Sequence, residues 1–102
     1  MGRTGTISVM FTDIVGSTSL MEEHGDEAWD EHRRAHFTLL REGLANHNGT
    51  EVKNTGDGLM AVFASAIDMV ECAASMMIAV DGARLGGGPV AIRVGCSIGE
   101  AT

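Results

Sequence analysis

Two five-residue runs with strand character, Thr50–Asn54 and Leu59–Phe63, are joined by Thr55-Gly-Asp-Gly58. Glycine on either side of an aspartate is the chemistry of a tight hairpin turn. The two runs are therefore expected to be antiparallel neighbours, and the rest of the chain has to pack around that ribbon. Upstream, Thr6–Phe11 has the β-branched and apolar character of a buried central strand. The stretch from Gly16 to about Asn46 then follows a helical pattern, broken near Gly25. Downstream, Ser65-Ala-Ile-Asp68 resembles a helix start with an acidic residue in the first turn. That helix is predicted to reach about Leu85, and Val90–Cys96 reads as a fourth strand. The order β-α-β-β-α-β predicts an α+β, ferredoxin-like sandwich: an antiparallel-rich sheet with helices on one face.

Side-chain spacing assigns faces. In the first helix Trp29, Arg33, Phe37, Leu40 and Leu44 recur at intervals of three and four, with Trp29 as a packing anchor. Asn46-His-Asn-Gly49 ends that helix, since Asn and Gly tolerate the left-handed backbone past a C-terminus. The second helix is expected to bury Ile67, Val70, Ala74, Met77 and Val80. Gly86-Gly-Gly-Pro89 reads as a loop. His32 and His36 stand four apart, a spacing that can bind a transition metal, but no third ligand is evident and a solvated face is expected. Cys72 and Cys96 form no CxxC pattern and are expected to be two buried thiols in a reducing compartment.

A length of 102 residues fits one small domain or a piece of a larger one. A core of that size leaves room for a partner chain to add burial. Fourteen acidic against seven basic residues give a formal charge of −7, which excludes non-specific nucleic-acid binding. It is compatible with nucleotide binding, because a metal ion can supply the positive charge that the protein lacks. No apolar stretch approaches the roughly 18 residues of a membrane span, and the N-terminus lacks the apolar core of a signal peptide. A cytoplasmic location is expected.

The chemistry concentrates in two places. Asp13 follows the first strand and leads into Gly16-Ser-Thr18, where Ser17 or Thr18 can cap a helix. Asp57 sits in the hairpin turn. The two become neighbours if the first strand lies between the hairpin and the C-terminal strand. Converging carboxylates repel unless a proton or cation separates them. Magnesium suits such a site, since it prefers oxygen ligands and often keeps substrate phosphates in its shell. Amides around Gly16, Ser17 and Thr18 would favour the same phosphates. Two metal ions about 3.5–4 Å apart could then activate a hydroxyl and stabilise a leaving oxygen.

Phe11-Thr-Asp-Ile-Val-Gly-Ser-Thr18, with Glu51-Val-Lys-Asn-Thr-Gly-Asp-Gly58 and Val94-Gly-Cys-Ser-Ile-Gly-Glu100, resembles the catalytic domain of class III adenylyl/guanylyl cyclases, particularly the compact bacterial kind. The match spans nearly the whole chain. It implies formation of a cyclic nucleotide from the triphosphate with loss of pyrophosphate, in a dimer with active sites across the interface. By resemblance, Asp13 and Asp57 match the aspartates that bind two Mg²⁺ or Mn²⁺ ions, and the Ile14 carbonyl matches a backbone ligand. Lys53 stands where adenylyl cyclases carry the lysine that contacts adenine, which favours ATP; it would serve the site whose metals the other subunit holds.

The sequence also departs from that pattern. Ser97 stands where many relatives have histidine. In the family, a second base-selecting residue and the asparagine and arginine that orient ribose and stabilise the transition state follow the Gly99-Glu100 segment, and no residue here can be assigned those roles. Residues 1–102 therefore read as the N-terminal portion of such a domain, with little or no activity alone and a tendency to dimerise or exchange segments. The alternative is a noncatalytic nucleotide-binding or dimerisation module that regulates a partner.

Overall fold

The computed structural model describes residues 5–16, 22–23, 25–82, 84–85, 88–89 and 92–101. The order is β1 (Gly5–Ile14), α1 (Asp26–Asn46), β2 (Thr50–Asn54), β3 (Leu59–Phe63), α2 (Ala66–Gly82), two short strands β4 (Arg84–Leu85) and β5 (Gly88–Pro89), and β6 (Ile92–Ala101). Strands β2 and β3 match the sequence expectation residue for residue. The four long strands form one sheet in the order β2-β3-β1-β6, and every pairing is antiparallel. This is the ferredoxin-like arrangement, with β1 between the hairpin and the last strand.

Alternation along β1 sends Ser8, Met10, Thr12 and Ile14 into the interior. Leu59, Ala61 and Phe63 of β3 do the same. Trp29, Phe37, Leu40 and Leu44 of α1, with Met69, Cys72, Met76 and Val80 of α2, close over them as one core. The opposite face of the sheet carries Val9, Phe11 and Asp13 of β1 beside Met60 and Val62 of β3, and Phe11 remains 51% exposed.

Helix α1 begins after Gly25, with Asp26 and Glu27 in its first turn, where carboxylates favour the exposed amides of a helix start. It ends as its composition predicts. The His47 and Gly49 amides both donate to the Leu44 carbonyl, and Asn48 takes the left-handed backbone at φ 60°. Arg33 does not join the apolar stripe; it is half-buried and pairs with Asp30 at 2.6 Å. The Ser65 hydroxyl accepts the Asp68 amide at 3.2 Å and caps α2.

Four expectations are corrected. The first concerns α2: Ile67, Val70, Ala74 and Met77 lie outside, and of the predicted stripe Val80 alone is buried. The helix is apolar around most of its circumference, so spacing alone cannot select the stripe that meets the sheet; Gly43 selects it, because its missing side chain admits Met76 and Cys72 of α2. Second, the chain after α2 is not a plain loop. The helix stops at Gly82, β4 and β5 pair as a small ladder, and β6 is longer and later than Val90–Cys96.

Third, His32 and His36 are buried rather than solvated, at 4% and 0% exposure. His32 stacks on Trp29 with ring centroids 5.7 Å apart, and His36 meets Phe37 edge-on at 5.5 Å. Fourth, Cys72 is buried but Cys96 is exposed, and both are free thiols. Burial, reinforced by neighbouring Cys96, pushes the Cys72 thiol up to about 11, so it stays protonated and inert at neutral pH.

Candidate active site

Asp57 occupies a turn that only this spelling allows. Gly56 has φ 98°, a backbone that side chains rarely adopt. At Gly58 a Cβ would lie 2.0 Å from the Thr12 carbonyl oxygen. The aspartate is thus set between one glycine needed for conformation and another needed for close approach. Around them, the Asn54 side chain accepts the Gly56 amide at 2.8 Å. Thr55 donates twice to the Gly58 carbonyl, through its amide at 2.8 Å and its hydroxyl at 3.0 Å. Arg33 reaches from α1 to the Gly56 carbonyl at 3.3 Å.

This turn is stitched to the end of β1. The Leu59 amide donates to the Thr12 hydroxyl at 3.1 Å, and the Ile14 amide donates to the Asp57 carbonyl at 3.1 Å. The end of β1 that carries Asp13 and Ile14 is thereby joined to the turn that carries Asp57. Asp13 projects from the open face, since Thr12 and Ile14 on either side are buried. Gly16 follows with φ 71°. Ser17 and Thr18 lie outside the described residues.

One member of the site had no role in the sequence reading. Arg93 of β6 stands directly opposite Asp13 in the β1–β6 register, and its guanidinium donates to the Asp13 carboxylate at 3.0 Å. The sequence signal exists only once the strands are paired, because the two residues are eighty positions apart.

Lys53 lies on a different strand from Asp13. It is exposed on edge strand β2, in a cross-strand row with Met60 and Phe11. Two strand spacings, about 10 Å, separate that strand from β1.

Asp13, Asp57 and the Ile14 carbonyl offer hard oxygen atoms, the donor type that Mg²⁺ and Mn²⁺ prefer. Among the described residues no group of three or more His, Cys, Asp or Glu side chains could hold a metal by itself, so substrate oxygens and water would complete the shell. The arginine on Asp13 already shows that this corner accepts positive charge.

Comparison with known proteins agrees with this geometry. The family model for the adenylate and guanylate cyclase catalytic domain matches residues 1–102. "Putative adenylate cyclase 3" of Rhizobium meliloti (strain 1021) is 31% identical over 102 residues, covering 96% of this chain and 17% of that protein. The guanylate cyclase domain of RhGC from Catenaria anguillulae, solved with GTP, superposes with a TM-score of 0.89 at 15% identity, covering 99% of this chain and 60% of that one. A bacterial light-regulated adenylyl cyclase gives a TM-score of 0.87 at 16% identity, over 96% and 55% of the two chains. At such identities the structural likeness speaks for the fold. The chain thus spans less than a fifth of the Rhizobium protein and just over half of the solved chains. With the motif words, the sheet order and an end-to-end family match in agreement, the chain belongs to the adenylate and guanylate cyclase catalytic domain family.

Proposed function

We propose that this chain is the N-terminal portion of an adenylyl cyclase catalytic domain, acting in the cytoplasm and converting ATP to 3′,5′-cyclic AMP and pyrophosphate. The observation that supports the proposal is the Ile14–Asp57 backbone hydrogen bond, which joins the end of β1 that carries Asp13 to the turn that carries Asp57. Asp13, Asp57 and the Ile14 carbonyl would hold two Mg²⁺ or Mn²⁺ ions. Bound metal would lower the pKa of the ribose 3′-hydroxyl and offset charge on the departing pyrophosphate.

The chain's own residues prepare the substrate. Asp13 and Asp57, through the ions they would hold, would orient the triphosphate against the sheet. The Gly16, Ser17 and Thr18 amides would favour phosphate oxygens. In the reaction the 3′-oxygen attacks the α-phosphorus, the bond to pyrophosphate breaks, and the hydroxyl proton passes to water. Lys53 would contact adenine, which favours ATP over GTP. By the family resemblance the site is shared by two subunits, with metal from one and the base contact from the other. The partner on this reading is a second copy of the chain.

No Asn or Arg in these 102 residues matches the family's ribose-orienting and transition-state positions. The expectation for this polypeptide alone is metal-dependent ATP binding with weak turnover, since losing one charge-stabilising donor costs about 10²–10³ in rate. Calorimetry with ATP and GTP in Mn²⁺, run beside a cyclic AMP assay, tests it. Asp13→Asn and Asp57→Asn should each abolish metal-dependent ATP binding. ATP binding that ignores both substitutions would overturn the proposal, and binding without any turnover would favour the noncatalytic module.

A further inference from the structure

We propose that Arg93 is a built-in counter-ion of the metal site: its guanidinium holds Asp13 while no divalent cation is bound, and an entering cation has to displace it. The inference rests on the metal-site reading above and adds a regulation of that same site. Its foundation is register. Asp13 and Arg93 are cross-strand partners in the longest ladder of the sheet, running from Gly5↔Ala101 to Ile14↔Ile92. Pairing of β1 with β6 therefore sets the two side chains side by side on the open face, and their 3.0 Å contact follows from the fold.

Three further observations give the pair its role. Arg93 is the one basic residue in β1 or β6, and the Asp13 carboxylate is the acceptor its guanidinium meets. Its side chain is 71% exposed, so it can leave Asp13 without opening the core. The next residue on the same face of β6 is Gly95, with no atom within 4 Å of where its Cβ would stand. Space for a displaced guanidinium is thus present beside the site. The ion pair is weak enough to yield to a divalent ion, because exposed pairs are only modestly favourable and are screened by salt.

Competition for one carboxylate has a measurable sign. Removing Arg93 should tighten binding of the metal alone, whereas an arginine that merely braces the strand should leave affinity unchanged or lower it. Mn²⁺ titrations without nucleotide, followed by the free-ion paramagnetic resonance signal, read this directly. Arg93→Gln is expected to bind Mn²⁺ about two- to fivefold tighter at low ionic strength. The gain should shrink toward nothing in high salt, and Arg93→Lys should return affinity toward the parent value. Near-ultraviolet circular dichroism verifies that each variant is folded. Equal or weaker Mn²⁺ binding by folded Arg93→Gln, with binding still abolished by Asp13→Asn, would overturn the counter-ion role and leave the metal site standing. Mn²⁺ binding that survives Asp13→Asn unchanged would overturn both.

Discussion

His36 is the residue whose environment contrasts most with its chemistry. Its ring is fully buried, and neither nitrogen has a hydrogen-bond partner. Burial, with the nearby His32 ring adding to it, lowers its pKa from 6.5 to about 4. An unfolded chain would bind a proton there between those values and the folded chain would not, so stability must fall as pH drops through this window. The loss should reach about 2 kcal/mol by pH 4.5. Urea titrations at pH 7.5 and pH 4.5 check it: His36→Leu, which cannot be protonated, should show a smaller acid loss by about that amount. Equal acid losses in parent and variant would refute the assignment. A sequence reading could not find this, because a histidine's spacing on a helix is the same whether its face meets solvent or Trp29 and Phe37.

At the scale of elements, α2 shows what periodicity can and cannot choose. Met69, Cys72, Met76 and Val80 are three or four residues apart, and so are Ile67, Val70, Ala74 and Met77. Either stripe would satisfy a helical pattern. The observed choice has a thermodynamic signature. Met76 is 1% exposed and touches the space left by Gly43, whereas Ile78 is 74% exposed. Met76→Ala should therefore cost about 2–5 kcal/mol, and Ile78→Ala no more than about 0.5 kcal/mol, measured by chemical denaturation. Reversed costs would mean that the helix is docked by its other face. The hairpin behaved differently. Thr55-Gly-Asp-Gly58 specified β2, β3 and the position of Asp57, since its two glycines are demanded by a positive φ and by the Thr12 carbonyl. Local sterics decided it, so local sequence revealed it.

At the scale of the whole molecule, the helices cover one face of the sheet and leave the other open. Phe11, half exposed, stands at its centre with Asp13 and Arg93 above it and Lys53 at the edge. An apolar middle with charged groups around it suits the shared site proposed above. The formal charge of −7 opposes self-association at low salt. Dimer formation, followed by light scattering across protein concentration, should accordingly strengthen when salt is raised from low to physiological levels. Phe11→Asp should leave a monomer that keeps its fold, because Phe11 is outside the core. A dimer unaffected by Phe11→Asp would place the contact elsewhere.

The sequence by itself determined the first three strands, the first helix and the hairpin turn that holds Asp57. Each of those depends on neighbours along the chain: glycines beside an aspartate, alternation within five residues, a hydroxyl three residues before a helix amide. Tertiary structure decided which stripe of α2 enters the core, that His32 and His36 are buried, and that Arg93 rather than a more local residue meets Asp13. Those outcomes depend on how surfaces distant in sequence match in shape and register, and no local window contains both partners of such a match.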